Sequence, residues 1–203
     1  MMRHITKRFM FPPLMLFLAL AAFMGGCGAK HQIVITPLET PARGDVSLSS
    51  KKVAYVMKET DRYREVTSEG GGGDNVSYFP YRDLEKAIRH ALRAVYSDVF
   101  VIKSPKDSSA IQQNDISFVF SPKIYTASDS ESAFTWPPTQ FYIELSFKVT
   151  DSTGKIVSRI KVAASGTAEY SEFKEDFGLA GRRAASELSE KLKKKIIGNP
   201  NLH

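Results

Sequence analysis

The chain has 203 residues, a formal charge of +6, 42% hydrophobic residues and 25% charged ones. That is an ordinary globular composition of one-domain size, and it excludes low-complexity and collagen-like chains. Arg3, Lys7 and Arg8 supply three of the net charges, so residues 27–203 carry +3, too little and too spread out to argue for a nucleic-acid partner.

The first segment is basic from Met1 to Arg8, then apolar and uncharged from Phe9 to Phe23, with Gly25 and Gly26 before Cys27. This is the layout of a secretory signal over residues 1–26, cleaved after Gly26. A membrane-spanning helix needs about 20 apolar residues. Here there are fifteen, and Pro12 and Pro13 break their start. Cys27 is the only cysteine in the chain, so it forms no internal disulfide. Met24-Gly25-Gly26-Cys27 resembles a bacterial lipobox, with Met24 where Leu is usual. That resemblance implies a diacylglyceryl group on Cys27 and a fatty acyl chain, such as palmitate, on its amine. Such chains anchor firmly, because each buried CH₂ contributes about 0.8 kcal/mol. Gly28 stands where Asp would retain an enteric lipoprotein at the inner membrane, so the resemblance also implies the outer membrane, periplasmic face.

Residues 27–50 read as the lipidated N-terminus and a tether, punctuated by Pro37, Pro41 and Gly44. As a coil, the stretch after Cys27 spans about 26 Å. Ile33-Val34-Ile35 is a candidate edge strand. Residues 51–198 read as a single domain, and 199–203 as a tail. A strand is expected over 51–58, then a polar loop whose glycines Gly70, Gly71, Gly72 and Gly73 suggest flexibility. Asp83 is placed to cap a helix over 84–96, with Leu84, Ile88, Ala91, Leu92 and Val95 on its apolar face. Strands follow over 98–103 and 115–127, the latter with Ile116, Phe118 and Phe120 on one face. Residues 141–150 alternate most cleanly, with Phe141, Ile143, Leu145, Phe147 and Val149 inward. Across the 151–154 turn, 155–170 returns with Ile156, Ile160, Val162 and Ala164 inward. A last helix over 175–197 carries the stripe Phe177, Ala180, Ala184, Leu188, Leu192 and Ile196, and Gly198 and Pro200 stop it. The order strand, helix, strand, meander, helix predicts an α+β fold: an antiparallel sheet of four to five strands packed on two amphipathic helices.

Catalytic patterns are scarce. His31, His90 and His203 have no ligand spacing and Cys27 is committed elsewhere, so no metal site or cofactor is expected. Ser158 and Lys161, like Ser49 and Lys52, match S-x-x-K, but the chemistry of that motif needs a helix that these segments do not form. The run Gly70–Gly73 lacks the Lys-Ser or Lys-Thr and the immediate helix of a phosphate loop. The loop Phe134, Trp136, Pro137, Pro138 is the candidate partner-binding site, since rigid aromatic–proline loops supply contact area. Trp136 reads equally well as a cap on the core.

The lipidated cysteine, the "IVITP" segment, the "DLEKAIRHAL" helix, the meander and the terminal helix together resemble the YajG family of outer-membrane lipoproteins. More distantly they are similar to LptE-like and ABC-transport auxiliary lipoproteins. The resemblance implies a non-enzymatic envelope protein and carries over no functional residue except Cys27. The expected function is an accessory or assembly subunit of an envelope complex, with a protein partner and a membrane anchor. The alternative is a transport auxiliary that binds a lipid or other amphiphile.

Overall fold

A computed structural model describes residues 28–42 and 49–202. The signal segment, Gly26 and Cys27 lie outside the described residues. The strands are β1 (Lys30–Gln32), β2 (Ser49–Val56), β3 (Val66–Glu69), β4 (Asn75–Tyr78), β5 (Tyr96–Ile102), β6 (Ile116–Asp129), β7 (Gln140–Asp151) and β8 (Ile156–Thr167). The α-helices are α1 (Glu59–Arg62), α2 (Pro80–Arg93), α3 (Ser108–Gln113) and α4 (Leu179–Ile197).

The chain is α+β, with two mixed sheets. The larger has the order β5-β2-β6-β7-β8 and the smaller β1-β4-β3. The expected antiparallel sense holds for β6-β7-β8, while β2 runs parallel to both β5 and β6. Parallel neighbours need a crossover, and α2 and α3 lie in the two connections concerned. In the smaller sheet β1 is parallel to β4, and β3–β4 is an antiparallel hairpin.

One face of the large sheet carries the main core. Ile143, Leu145, Phe147 and Val149 of β7 pack with Leu84, Ile88 and Leu92 of α2 and with Ala184, Leu188, Leu192 and Ile196 of α4. Each of these is at most 2% exposed. Burial of one such aliphatic or aromatic side chain contributes about 1.5–3 kcal/mol. Ser189 Oγ donates to the Ala87 carbonyl at 3.0 Å and ties α4 to α2. A smaller cluster on the other face joins Ala54, Val56, Ile102, Ile116 and Val119 to Ile111 of α3.

Several boundaries differ from expectation. Helix α2 opens at Pro80, whose missing N–H suits the first helical position. Asp83 therefore lies in the first turn, 3% exposed. It accepts from the Ile35 N–H at 3.3 Å and from Arg82 Nε at 3.0 Å. Ser117 is an extra residue opposite the Lys52–Val53 step, so Ile116 faces the α3 cluster while Phe118 and Phe120 face the main core. A second shift, where Val149 and Thr150 face Ser158 and Ile156, leaves Ile156 at 45% exposure. Phe177 precedes α4 rather than joining its stripe.

The tether expectation is corrected for residues 28–42, because Ile33 and Ile35 belong to the core and the stretch is bonded to the domain. Ile33 and Ile35 are 3% and 0% exposed. Beyond β1 this stretch runs as a strap along α4. Arg182 Nε donates to the Thr36 carbonyl, Ser186 Oγ accepts from the Glu39 N–H, and Lys193 Nζ donates to the Ala42 carbonyl. Gly181 makes room for it, since a Cβ there would overlap Ile35 Cγ2. At the sheet edge, Lys191 Nζ donates to the Ala163 carbonyl and Glu187 accepts from the Ser165 N–H, so α4 side chains cover β8.

Candidate functional site

The N-terminus of β7, the C-termini of β6 and β8, and the tip of the β3–β4 hairpin converge at one end of the molecule, the apex. The glycine run that read as flexible is docked here. Gly71–Gly73 forms a single 3₁₀ turn between β3 and β4. The Gly71 N–H donates to the Thr135 carbonyl at 3.1 Å and the Gly72 N–H to the Ala133 carbonyl at 2.6 Å. A Cβ on Gly71 would overlap Thr135 O and lie 2.6 Å from Ser132 O, and one on Gly70 would lie 2.8 Å from Trp136 O. Glycine is thus required for close backbone approach. Gly72 and Gly73 add φ values of 72° and 82°, the left-handed region.

The 130–139 loop divides into a buried half and an exposed tip. Pro137 and Pro138 are buried and Trp136 is half-buried. Trp136 stacks on His31 at 3.9 Å between centroids, with the planes 12° apart, and touches Phe177 at 4.7 Å. Phe134 remains 93% exposed. Of the two readings of Trp136, the packing supports the core cap. Among the four candidate partner-contact residues, only Phe134 is fully exposed.

His31, which the sequence places in the tether, belongs to this end of the molecule. Its Nε2 donates to Asp74 Oδ2 at 2.8 Å, since an ionised carboxylate only accepts. The other oxygen of Asp74 accepts from the Ala29 N–H at 2.8 Å. The bond from His31, followed by that from Ala29, holds the Asp74 carboxyl below its usual range. Beside the loop lies a cleft of about 300 Å³ lined by Glu131, Thr135, Thr139, Tyr170 and Phe173, among others. Glu172 accepts two bonds from Arg183, at 2.6 and 2.9 Å. These, with the Glu169 N–H, push its pKa down to about 2.

The outer face of β6-β7-β8 is a second candidate surface. Cross-strand rows place Lys123 beside Ser146 and Lys161, and Ser121 beside Lys148 and Arg159. Glu144 faces the same way and pairs with Lys161 at 2.8 Å, which lowers its carboxyl below the usual range. Tyr125, 59% exposed, meets Tyr142 edge-on at 6.3 Å. Alternation alone predicts a wet face, but its excess of cations appears only when three strands lie side by side.

A polar cluster on α2 is built around buried Tyr55, whose hydroxyl donates to Glu85 at 2.8 Å and accepts from Arg89. Burial pushes this phenol up to about 12. His90 is half-buried, and desolvation with Lys86 and Arg93 nearby lowers its pKa. Among the described residues, no group of three or more His, Cys, Asp or Glu is placed to hold a metal ion. Among them, too, no helix is long and apolar enough to cross a membrane.

No family model matches the chain, and no curated protein matches it by sequence. Several solved structures are similar in layout. A Xanthomonas campestris protein of the DUF330 family aligns over 84% of this chain and 96% of its own, with 12% identity and a TM-score of 0.49. The PelC dodecamer from Paraburkholderia phytofirmans gives 16% identity and 0.45 over 76% and 91%. A minor lipoprotein from Acinetobacter baumannii gives 14% identity and 0.39 over 72% and 91%. None of the three is named as a YajG or LptE protein, and likenesses this distant assign neither family nor partner.

Proposed function

We propose that the chain is an outer-membrane lipoprotein, anchored through Cys27, whose periplasmic domain is a non-enzymatic accessory subunit of an envelope complex. The observation that carries this reading is the fixed N-terminal strand. β1 begins at Lys30, three residues after the lipobox cysteine, so an anchor there holds the whole domain near the bilayer. The element order that resembles the YajG family is compatible with this. The partner docks on the wet face of β6-β7-β8 and presents carboxylates to Lys123, Lys148 and Arg159. This is favoured over the amphiphile carrier because the side chains between sheet and helices are packed against one another, with Ile143, Leu145, Leu188 and Leu192 at 0% exposure.

Two experiments test the reading. Globomycin treatment with membrane fractionation should accumulate a precursor, and Cys27→Ala should leave the outer membrane. If both proteins fractionate alike, the anchor is wrong. Cross-linked envelopes should yield a partner with the wild type that is lost in the Lys148→Glu, Arg159→Glu double variant. A partner retained by that variant would dismiss the basic face.

A further inference from the structure

The accessory reading places the lipid at Cys27 but does not say which surface of the domain the lipid brings to the bilayer. The described residues next to Cys27 in the chain bear on this. Gly28 lies against the hairpin tip, since a Cβ on it would overlap the Gly73 carbonyl. Gly73 adjoins Gly72, whose N–H is bonded to the Ala133 carbonyl at 2.6 Å. A Cβ on Gly72 would lie 3.8 Å from Phe134 O. Cys27 is one peptide beyond Gly28, a Cα step of about 3.8 Å. Following these contacts, Gly28 and the Phe134 backbone are within about 15 Å of each other, on the same end of the molecule.

Phe134 is 93% exposed, the highest value among the large hydrophobic residues described. Its loop is not free to fold back, because both flanking backbone groups are bonded to the glycine turn. Tyr170 and Phe177, 65% and 46% exposed, lie at the same end. Aromatic side chains with one wet side are the type that settles at the headgroup boundary, and apolar faces there insert about 5–10 Å. The apex carries Glu131, Asp74, Asp129 and Glu172, with Lys174 over the Tyr170 ring and Arg183 paired to Glu172, so it has no basic cluster and attraction to anionic headgroups does not explain it.

Resting on the lipoprotein reading, we infer that the apex, led by Phe134, is a membrane-contact surface that inserts into the leaflet holding the Cys27 lipid. The diacylglyceryl group supplies the affinity and the Phe134 loop sets the orientation. The strands of the meander then run away from the bilayer, and the β7–β8 turn is the most distant point. β7 alone, twelve residues long, spans about 40 Å. The basic face of the sheet stands upright in the periplasm.

The test uses the mature lipidated chain reconstituted in phosphatidylethanolamine–phosphatidylglycerol vesicles. Thioether formation consumes the chain's sole thiol, so Phe134→Cys and Ser152→Cys each offer one site for a spin label. Position 134 is exposed and 152 lies in the exposed β7–β8 turn, so neither substitution touches the core. The label at 134 should become several-fold less accessible to an aqueous relaxant and more accessible to oxygen dissolved in the lipid, while the label at 152 stays aqueous. Equal aqueous accessibility at both positions would overturn the inference and leave the anchor intact. Shielding at 134 that occurs in native envelopes but not in lipid vesicles would overturn it in favour of a protein contact. Labelling of the wild-type protein would show Cys27 unmodified, which is failure of the lipoprotein reading itself.

Discussion

At the scale of single residues, Glu172 links charge to stability. Its pKa falls from 4.5 to about 2 in the folded chain, chiefly through the bonds from Arg183. A depressed folded value means that the unfolded chain takes up the proton first. The stabilisation is complete above about pH 4.5 and is lost as the pH falls towards about 2. Glu144, Glu187 and Asp74 shift in the same direction, each held first by a partner side chain, Lys161, Lys191 and His31 respectively. The melting temperature should therefore fall modestly across that window, since these pairs are exposed to solvent, and Glu172→Gln should make the fall shallower without moving the neutral-pH plateau upward. Circular dichroism melts at stepped pH read both effects. Trp136 makes a different kind of contribution. Stacked on His31 and touching Phe177, it should cost about 2–3 kcal/mol when changed to Ala, from lost burial and lost ring contacts. Urea unfolding of Trp136→Ala would show it, and an unchanged midpoint would return Trp136 to the list of partner contacts.

At the scale of elements, the glycine turn and the strap make the sharpest demands. Gly71→Ala places a methyl group on the Thr135 and Ser132 carbonyls and should destabilise the chain by more than about 1 kcal/mol, separating the hairpin from the 130–139 loop. The Gly72 N–H is bonded to the Ala133 carbonyl, so its amide exchange should be slow in the wild type and accelerate in the variant. Removing residues 28–42 takes away buried Ile33 and Ile35. These two together contribute about 3–6 kcal/mol, comparable to the total stability of many domains. A chain that starts at Ser49 should lose its cooperative unfolding transition, and a sharp transition would mean that the strap is dispensable. The two long helices and the meander were legible from periodicity, because Leu84, Ile88 and Leu92, or Phe141, Ile143 and Leu145, repeat one face over several turns or pleats. Strand direction was not, because alternation is the same for parallel and antiparallel neighbours. The bulge at Ser117 and the shift beside Ile156 were hidden for a related reason: one extra residue changes the face without changing the composition. The β3–β4 hairpin and the helices α1 and α3 are too short to show a period. At the apex, the aromatic–proline loop was singled out by its residue types, but its docking on glycines more than sixty positions earlier rests on contacts that spacing does not encode.

At the scale of the whole molecule, the proposed reading gives the apex to the bilayer and the basic sheet face to a protein partner. Orientation should therefore matter to function even where folding is unaffected. A Phe134→Glu variant should keep the wild-type melting temperature and outer-membrane fractionation, yet cross-link poorly to the partner that the basic face engages. Normal cross-linking would show that the domain needs no fixed tilt. The strap also has a mechanical meaning. From Gly28 to Ala42 the chain is bonded first to β4 and then, in succession, to Arg182, Ser186 and Lys193 along α4. Tension between a bilayer-held Cys27 and a partner gripping the sheet would act along this line. These bonds would then be sheared together instead of being peeled one at a time, and under the proposed anchor the segment would act as a splice that carries tension from the bilayer into α4.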